Sequence, residues 1–444
     1  MSAISATSSL SSIGEKSFTI KEGYKNTKLG WIPEEWETPR IDEVFDFLST
    51  NSLSRNQLNY EDEEGVFNIH YGDIHATYKQ PILDFDNENR VPKINKDIVL
   101  SVNTDFLKDG DLVIADASED YEGVGEAIEL KNINGKKVTS GLHTFAFRDK
   151  TNKTAEGFRV YIFRNLLVKK ALKTIATGSK VYGISKGNIQ KFRIVLPPLP
   201  EQQKIATILS TWDRAIAKQK QLIAAKQEFK KGLMQLLLTG KKRFAGFEGE
   251  WEIKNLSEIS SKIGDGLHST PQYDVNGNYK FINGNNLVGN KIIITENTKT
   301  INEKEFLKHK RPLCNRTILL SINGTIGNIA FYDKEPVMLG KSAAFINIDE
   351  DVSKEYIAFQ LQTEDIRNHF KKVATGSTIK NLGLKAINNT KIPLPDLIEQ
   401  EKIVEILRSS EKEIELLQKQ LMLLQGQKRG LMQRLLTGAV RVKI

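Results

Sequence analysis

Apolar residues recur along two stretches of the chain in steps of four and three. The first set is Ile205, Leu209, Trp212, Ile216, Ile223, Leu233 and Leu237, with polar residues at Gln219, Lys226 and Lys230. The second is Ile403, Leu407, Ile414, Leu417, Leu421, Leu424, Leu431 and Leu435, interrupted at Ser410 and Lys428. This heptad spacing predicts two long helices whose seams suit a coiled coil. The boundaries are also marked. Pro200 and Glu201 suit a first helical turn, Asp396 and Glu399 have capping-box spacing, and Gly240 and Gly438 stand where a C-terminal cap needs a left-handed residue. At about 1.5 Å per residue each helix would run roughly 55–60 Å.

The two stretches are copies. Pro197 to Gly240 matches Pro395 to Gly438 at a constant spacing of 198 positions, without a gap. Toward the N-terminal side the spacing drifts. Ala176-Thr177-Gly178-Ser179 and Ala374-Thr375-Gly376-Ser377 remain 198 apart, Gly141 and Gly340 are 199 apart, and Trp36 and Trp251 are 215 apart. Length changes therefore concentrate before the helices. Loops tolerate such changes and carry recognition, whereas a paired helix loses its seam when one residue is inserted. Gly232 and Gly430 lie inside the last turns, where each costs about 1 kcal/mol relative to Ala, and suggest close approach of another backbone.

The drifting segments read as short strands separated by Gly, Asn and Asp. Val66–Ile74 is a strand and turn answered by Tyr279–Leu287, and the buried strand Gly110–Ala115 is answered by Thr317–Gly327. The fold class is α+β: two related mixed α/β domains joined by a long antiparallel two-helix coiled coil, an internal repeat with pseudo-twofold symmetry. The expected segments are a serine-rich flexible tail over 1–24, domains over 25–195 and 246–394, and helical spacers over 196–245 and 395–444.

Composition narrows the function. Sixty-four Lys and Arg against 55 Asp and Glu leave a charge of +9, which fits a polyanionic partner or merely a mildly basic surface. A single cysteine, Cys314, excludes an internal disulfide and a cysteine zinc cage, in keeping with a reducing cytoplasm. No run of about eighteen apolar residues suits a membrane span. Phosphate-loop, dinucleotide and His-Glu-x-x-His motifs are absent, as is the Asn-Pro-Pro of an adenine methyltransferase, and no Glu-x-Lys follows Pro395-Asp396 as a nuclease would need. His70 and His75, without thiolates or a third partner, read as polar loop residues. No metal or catalytic residue is expected.

Several motifs together resemble the DNA specificity (S) subunits of type I restriction-modification systems. They are the Trp31, Pro33, Trp36 entry, the Gly246, Phe247, Gly249, Trp251 entry, the paired Ala-Thr-Gly-Ser segments, the Pro-x-x-x-Glu-Gln starts and the Gly-Leu-Met-Gln-x-Leu-Leu-Thr-Gly ends. The resemblance runs from about residue 25 onward. It implies a non-catalytic subunit whose two target recognition domains each read half of a split, asymmetric site on double-stranded DNA. The helices would set the spacer and dock two methyltransferase subunits, with restriction subunits joining. S-adenosylmethionine, ATP and magnesium would belong to those partners and none to this chain, and the complex would work in the cytoplasm.

For contact with DNA the candidates are Tyr71, Gly72 and Asp73, Asn283, Asn285 and Asn286, and Ser321 and Asn323, all of types that also simply build turns. Gly178, Ser179 and Lys180 with Gly376, Ser377 and Lys380 suit phosphate or helix capping equally. His143 and Lys341 follow the paired glycines. A structural coiled-coil adaptor with protein- or RNA-binding heads is the alternative.

Overall fold

A computed structural model describes residues 22–444 apart from Lys79. Most of the expected serine-rich tail lies outside the described residues. The chain forms two compact units that cut across the expected segments: one runs to Lys218 and adds Leu421–Ile444, the other is Gln219–Gln420. Each holds one head, half of one long helix and the opposite half of the other.

In unit 1 a five-stranded sheet has the order 45–48, 144–149, 112–115, 127–131, 82–84, and a second sheet has the order 138–140, 67–69, 93–94, 58–59. The central strand Leu112–Ala115 is wholly buried, and its alternation divides the interior. Leu112 and Ile114 face a core shared with the helices, while Val113 and Ala115 face the core under the second sheet. Unit 2 repeats this with fewer strands. A four-stranded sheet runs 260–265, 343–348, 317–321, 329–331, and a three-stranded one runs 300–301, 279–282, 337–339. Ile318 and Leu320 face the helical core and Leu319 the other.

The long helices are Leu199–Leu237 and Leu397–Leu436. In each unit their segments pack antiparallel. In unit 1 Ile205, Leu209, Ile216 and Leu435 are buried, Trp212, Leu421, Leu424 and Leu431 half-buried, and Lys428 pairs with Asp213 at 2.5 Å. In unit 2 Ile223, Leu237, Ile403, Leu407 and Ile414 are buried, and Leu233 and Leu417 half-buried. There Gln219 Nε2 donates to the Leu417 carbonyl (3.0 Å), and Lys226 and Lys230 pair with Glu413 and Glu411 at 2.7 and 2.6 Å, while the buried Ser410 hydroxyl has no hydrogen-bond partner among the described residues. Charges half-withdrawn from water are tolerated because each is paired.

The Glu-Gln at each helix start is a clasp. Glu201 is buried, accepts from Trp36 Nε1 (2.9 Å) and binds Arg441 through Nε (2.7 Å) and Nη2 (2.9 Å). Glu399 is buried, accepts from Trp251 Nε1 (3.0 Å) and binds Arg243 through Nε (3.0 Å) and Nη2 (2.7 Å). Each glutamate thus holds the tryptophan that opens its head and the arginine that follows the other long helix. The neighbouring glutamines tie helix to head. Gln202 accepts from Ala155 N and donates to the carbonyls of Lys153 and Pro197, and Gln400 accepts from Ser353 N and donates to that of Pro395.

Three expectations change. The capping box at Asp396 is only half made: Asp396 Oδ1 accepts from Glu399 N (2.9 Å), while the Glu399 carboxylate is taken by Trp251 and Arg243. Gly232 and Gly430 do not meet another backbone, since a Cβ on either would find nothing within 4 Å. Tyr71-Gly72-Asp73 is helical, opening the short helix Tyr71–Ala76 because His70 Nδ1 caps Gly72 N (3.1 Å).

Candidate nucleic-acid interface

In both units the central strand ends beside the loop that enters the neighbouring long strand, and polar side chains gather there. In unit 1 Asp116 follows the strand, and its N donates to the His143 carbonyl while His143 Nδ1 lies 3.3 Å from Asp116 Oδ1. His143 is exposed and holds φ at +53°, in the left-handed region that few non-glycine residues adopt. Its ring meets Tyr71 edge-on at 5.2 Å, and Tyr71 also neighbours His70 and His75 at 4.7 and 6.3 Å. Burial lifts the Asp116 carboxyl above its ordinary range while His143 pulls it back. Burial lowers His70, and the Arg55 charge adds to that.

Unit 2 builds the same place differently. Asn283 stands at the N-terminus of a single turn, Gly284–Asn286, as His70 does in its helix, but the contact there is Asn283 N donating to Asn286 Oδ1 (2.9 Å). Ser342, in the place of His143, donates to Asn283 Oδ1 (2.9 Å) and accepts from Gly284 N (2.9 Å). Asn323 Nδ2 donates to the Lys341 carbonyl (3.2 Å), and His268 pairs with Asp265 at 2.7 Å. Asn323, Lys341, Asp265 and His268 line one pocket of about 160 Å³ with Asn381 to Leu384. A larger cleft of about 920 Å³ along the helices, with lysines and glutamates both lining it, shares no residue with this surface.

The expected contact residues separate into groups. Tyr71 and His143 come together in unit 1, and Asn323 and Lys341 in unit 2, with Asn283 joined through Ser342. Asn285 is exposed beside it, while Asn286 is occupied, accepting from Asn283 N and donating to the Ile293 carbonyl. Gly72 is half-buried in the short helix.

Two side chains are inside rather than at the surface. Asp73 is held by Arg55 through two 2.9 Å bonds and by Thr77, and Ser321 accepts from Asn328 N and donates to the Thr325 carbonyl. They pin turns.

Gly178, Ser179, Lys180, Gly376, Ser377 and Lys380 lie in exposed loops tied to the same strand ends, through Ala117–Gly183 pairing in unit 1 and Asn323–Asn381 pairing in unit 2. Residue types gave no hint of Asp116, His268 or Ser342, which only pairing brings to the surface. Arg243 and Arg441 were findable, since they continue the 198 spacing three residues past the glycines. Among the described residues no group of three or more His, Cys, Asp or Glu is placed to hold a metal ion, and no helix is long and apolar enough to cross a membrane.

Comparison with known proteins agrees with this architecture. The family model of the type I restriction modification DNA specificity domain matches twice, over residues 33–226 and 248–425. The MjaVIII specificity subunit of Methanocaldococcus jannaschii is 26% identical over 444 residues, covering 96% of this chain and 98% of its own. The MjaIX specificity subunit of the same organism is 23% identical over 450 residues, with the same coverage.

Two solved structures share the fold. The S subunit of a type I system from M. genitalium has a TM-score of 0.50 at 15% identity, over 92% of this chain and 96% of its own. A chain from work on complex assembly and conformational transition of the type I restriction-modification system has a TM-score of 0.57 at 16% identity, over 92% and 99%. The chain belongs to the type I restriction-modification DNA specificity family, carries two copies of its domain, and is a specificity subunit, the non-catalytic member of such a system.

Proposed function

We propose that each unit reads one half of a bipartite, asymmetric target on double-stranded DNA. Two methyltransferase subunits would dock on the long helices for adenine methylation, and restriction subunits would join them in the cytoplasm. The observation that carries this reading is the contrast at matched strand ends: His143, Asp116 and Tyr71 in unit 1 against Ser342, Asn283, Asn323 and Lys341 in unit 2. The exposed His143 imidazole and Lys341 ammonium, with the half-buried Tyr71 phenol and the Asn283 and Asn323 amides beside them, suit base edges and phosphates, and two different sets suit two different half-sites.

The helices, of 39 and 40 residues, would span about 60 Å, more than the 34–36 Å of a duplex turn, and could act as the ruler for the unspecified spacer. S-adenosylmethionine, ATP and magnesium would be bound by the partners.

Co-expression with the methyltransferase subunit, followed by methylome sequencing, tests the reading. Methylation should appear at one bipartite motif, and exchanging residues 30–175 should change one half of it only. Change in both halves, or in neither, would defeat the assignment. A coiled-coil adaptor would instead show no salt-sensitive shift of duplex DNA.

A further inference from the structure

The Ala-Thr-Gly-Ser segments carry a feature beyond the motif itself. In unit 1 Thr177 and Gly183 exchange both backbone hydrogen bonds, at 2.9 and 2.8 Å, and close a loop. In unit 2 Thr375 and Asn381 do the same at 3.0 and 2.7 Å. Gly178 (φ +131°) and Gly376 (φ +105°) are left-handed, and a Cβ on either would overlap the carbonyl oxygen of Val181 or Ile379. Each loop therefore folds down onto its glycine, and the β-branched side chain three residues on stays outside. Val181 is 54% exposed and Ile379 66%.

These side chains contribute little to any core, yet they stand 198 positions apart at the same place in the same loop. A β-branched side chain is stiff about χ1, so each tip is already ordered before contact. Residues 176–191 contain three lysines and no acid, and residues 374–391 likewise three lysines and no acid. Ser179 and Lys180, and Ser377, Thr378 and Lys380, are all exposed around the tips. An apolar point in a collar of hydroxyls and ammonium groups complements a polyanion with apolar surfaces between its charges, which is a duplex with its stacked bases. The surfaces beside the loops differ between units while the tips stay alike. Contact with a thymine methyl would depend on sequence and would differ with the half-site. A shared apolar tip fits a contact that both half-sites offer, namely a base step.

We propose that Val181 and Ile379 are wedges that enter the duplex at a base step beside each half-site and part it, while the flanking hydroxyls and lysines hold the phosphates. Apolar side chains kink DNA in this way from the minor groove. The proposal rests on the DNA-reading function above.

The test uses the full chain in complex with its methyltransferase subunits, and target duplexes carrying 2-aminopurine at successive positions except the methylated adenines. Binding should raise emission at one step in each half-site. Val181→Ser should abolish the rise in one half only and Ile379→Ser in the other, each weakening binding about tenfold, while Val181→Ile keeps both signals. Specific binding with unchanged emission at every position would overturn the wedge and leave the DNA reading standing. So would serine variants that bind and fluoresce as the wild type does. Serine variants that lose the methyltransferase subunits on co-purification would make the loops protein-docking tips instead. A wild-type complex that binds no duplex specifically would defeat the DNA reading and the wedge with it.

Discussion

Unit 1 and unit 2 agree where geometry must be held and differ where a surface is shown to solvent. Both fasten a tryptophan, a buried glutamate and an arginine into one clasp, and both hold a leucine carbonyl where a long helix ends. Asn165 Nδ2 donates to Leu436 O at 2.5 Å in unit 1, and Gln360 Nε2 to Leu238 O at 2.8 Å in unit 2. The residue that does this has changed, yet the bond is kept. The clasps are not equally deep. In unit 1 the hairpin Tyr24–Pro33 adds Pro33 beside Gly438, Tyr24 donates to the Gly438 carbonyl, and Trp36 is fully buried. In unit 2 Trp251 packs on Gly240 but stays half-exposed. The same hydrogen bonds should therefore be worth more in unit 1.

The largest test of that difference removes a glutamate. Glu201→Ala leaves the Trp36 N–H buried without a partner and Arg441 with Glu35 alone, and should cost about 2–4 kcal/mol in denaturant unfolding. Glu399→Ala should cost less, because Trp251 can find water. Equal losses would show that the hairpin adds nothing.

A smaller contrast lies in the glycines. Both are left-handed, at φ +72° for Gly438 and +70° for Gly240, so alanine is strained at either. At Gly438 its methyl would also overlap the Pro33 ring, whereas at Gly240 it would meet Trp251 at an ordinary 3.6 Å. Gly438→Ala should cost about 2–3 kcal/mol and Gly240→Ala about 1, read as shifts of the unfolding midpoint. A Gly240→Ala loss as large as that of Gly438→Ala would remove the depth argument.

How much of this was legible beforehand follows from what each signal measures. The seam from Ile205 to Leu237 and its copy could be read because helix pairing writes a period into the sequence, and the unbroken spacing of 198 marked the segment that cannot change length. Buried strands such as Leu112–Ala115 were legible as apolar runs, but that alternate members serve different cores was not, since both faces are apolar. The Glu-Gln starts were visible as a motif, while their role in joining the far end of the other helix depends on pairing across more than 150 residues. Polar surface residues were least legible. Asp73 and Asn285 look alike as turn residues, and only Arg55, which neutralises Asp73 and raises its own pKa chiefly through that bond, separates the pinned side chain from the free-standing one.

The smallest effect concerns a charge inside one unit only. Glu129 lies in the strand beside Leu112–Ala115, is buried, and accepts from Gly157 N and Val160 N (2.5 and 3.1 Å). In unit 2 the corresponding place, opposite Ile318, is taken by Phe331. Burial raises the Glu129 carboxyl from 4.5 to about 7, against the two backbone N–H groups and Arg159, which favour the charged form. The folded state then holds a proton that the unfolded state has released. That stabilisation is complete below pH 4.5, falls as pH rises toward 7, and is gone above it. Unit 1 should lose about 1 kcal/mol between pH 6 and 8 through this group alone. Glu129→Gln should flatten the slope without touching unit 2, which hydrogen exchange followed separately in the two central strands can resolve. A slope of equal size at Ile318–Leu320, or one that survives the substitution, would place the titrating group elsewhere and remove this difference between the units.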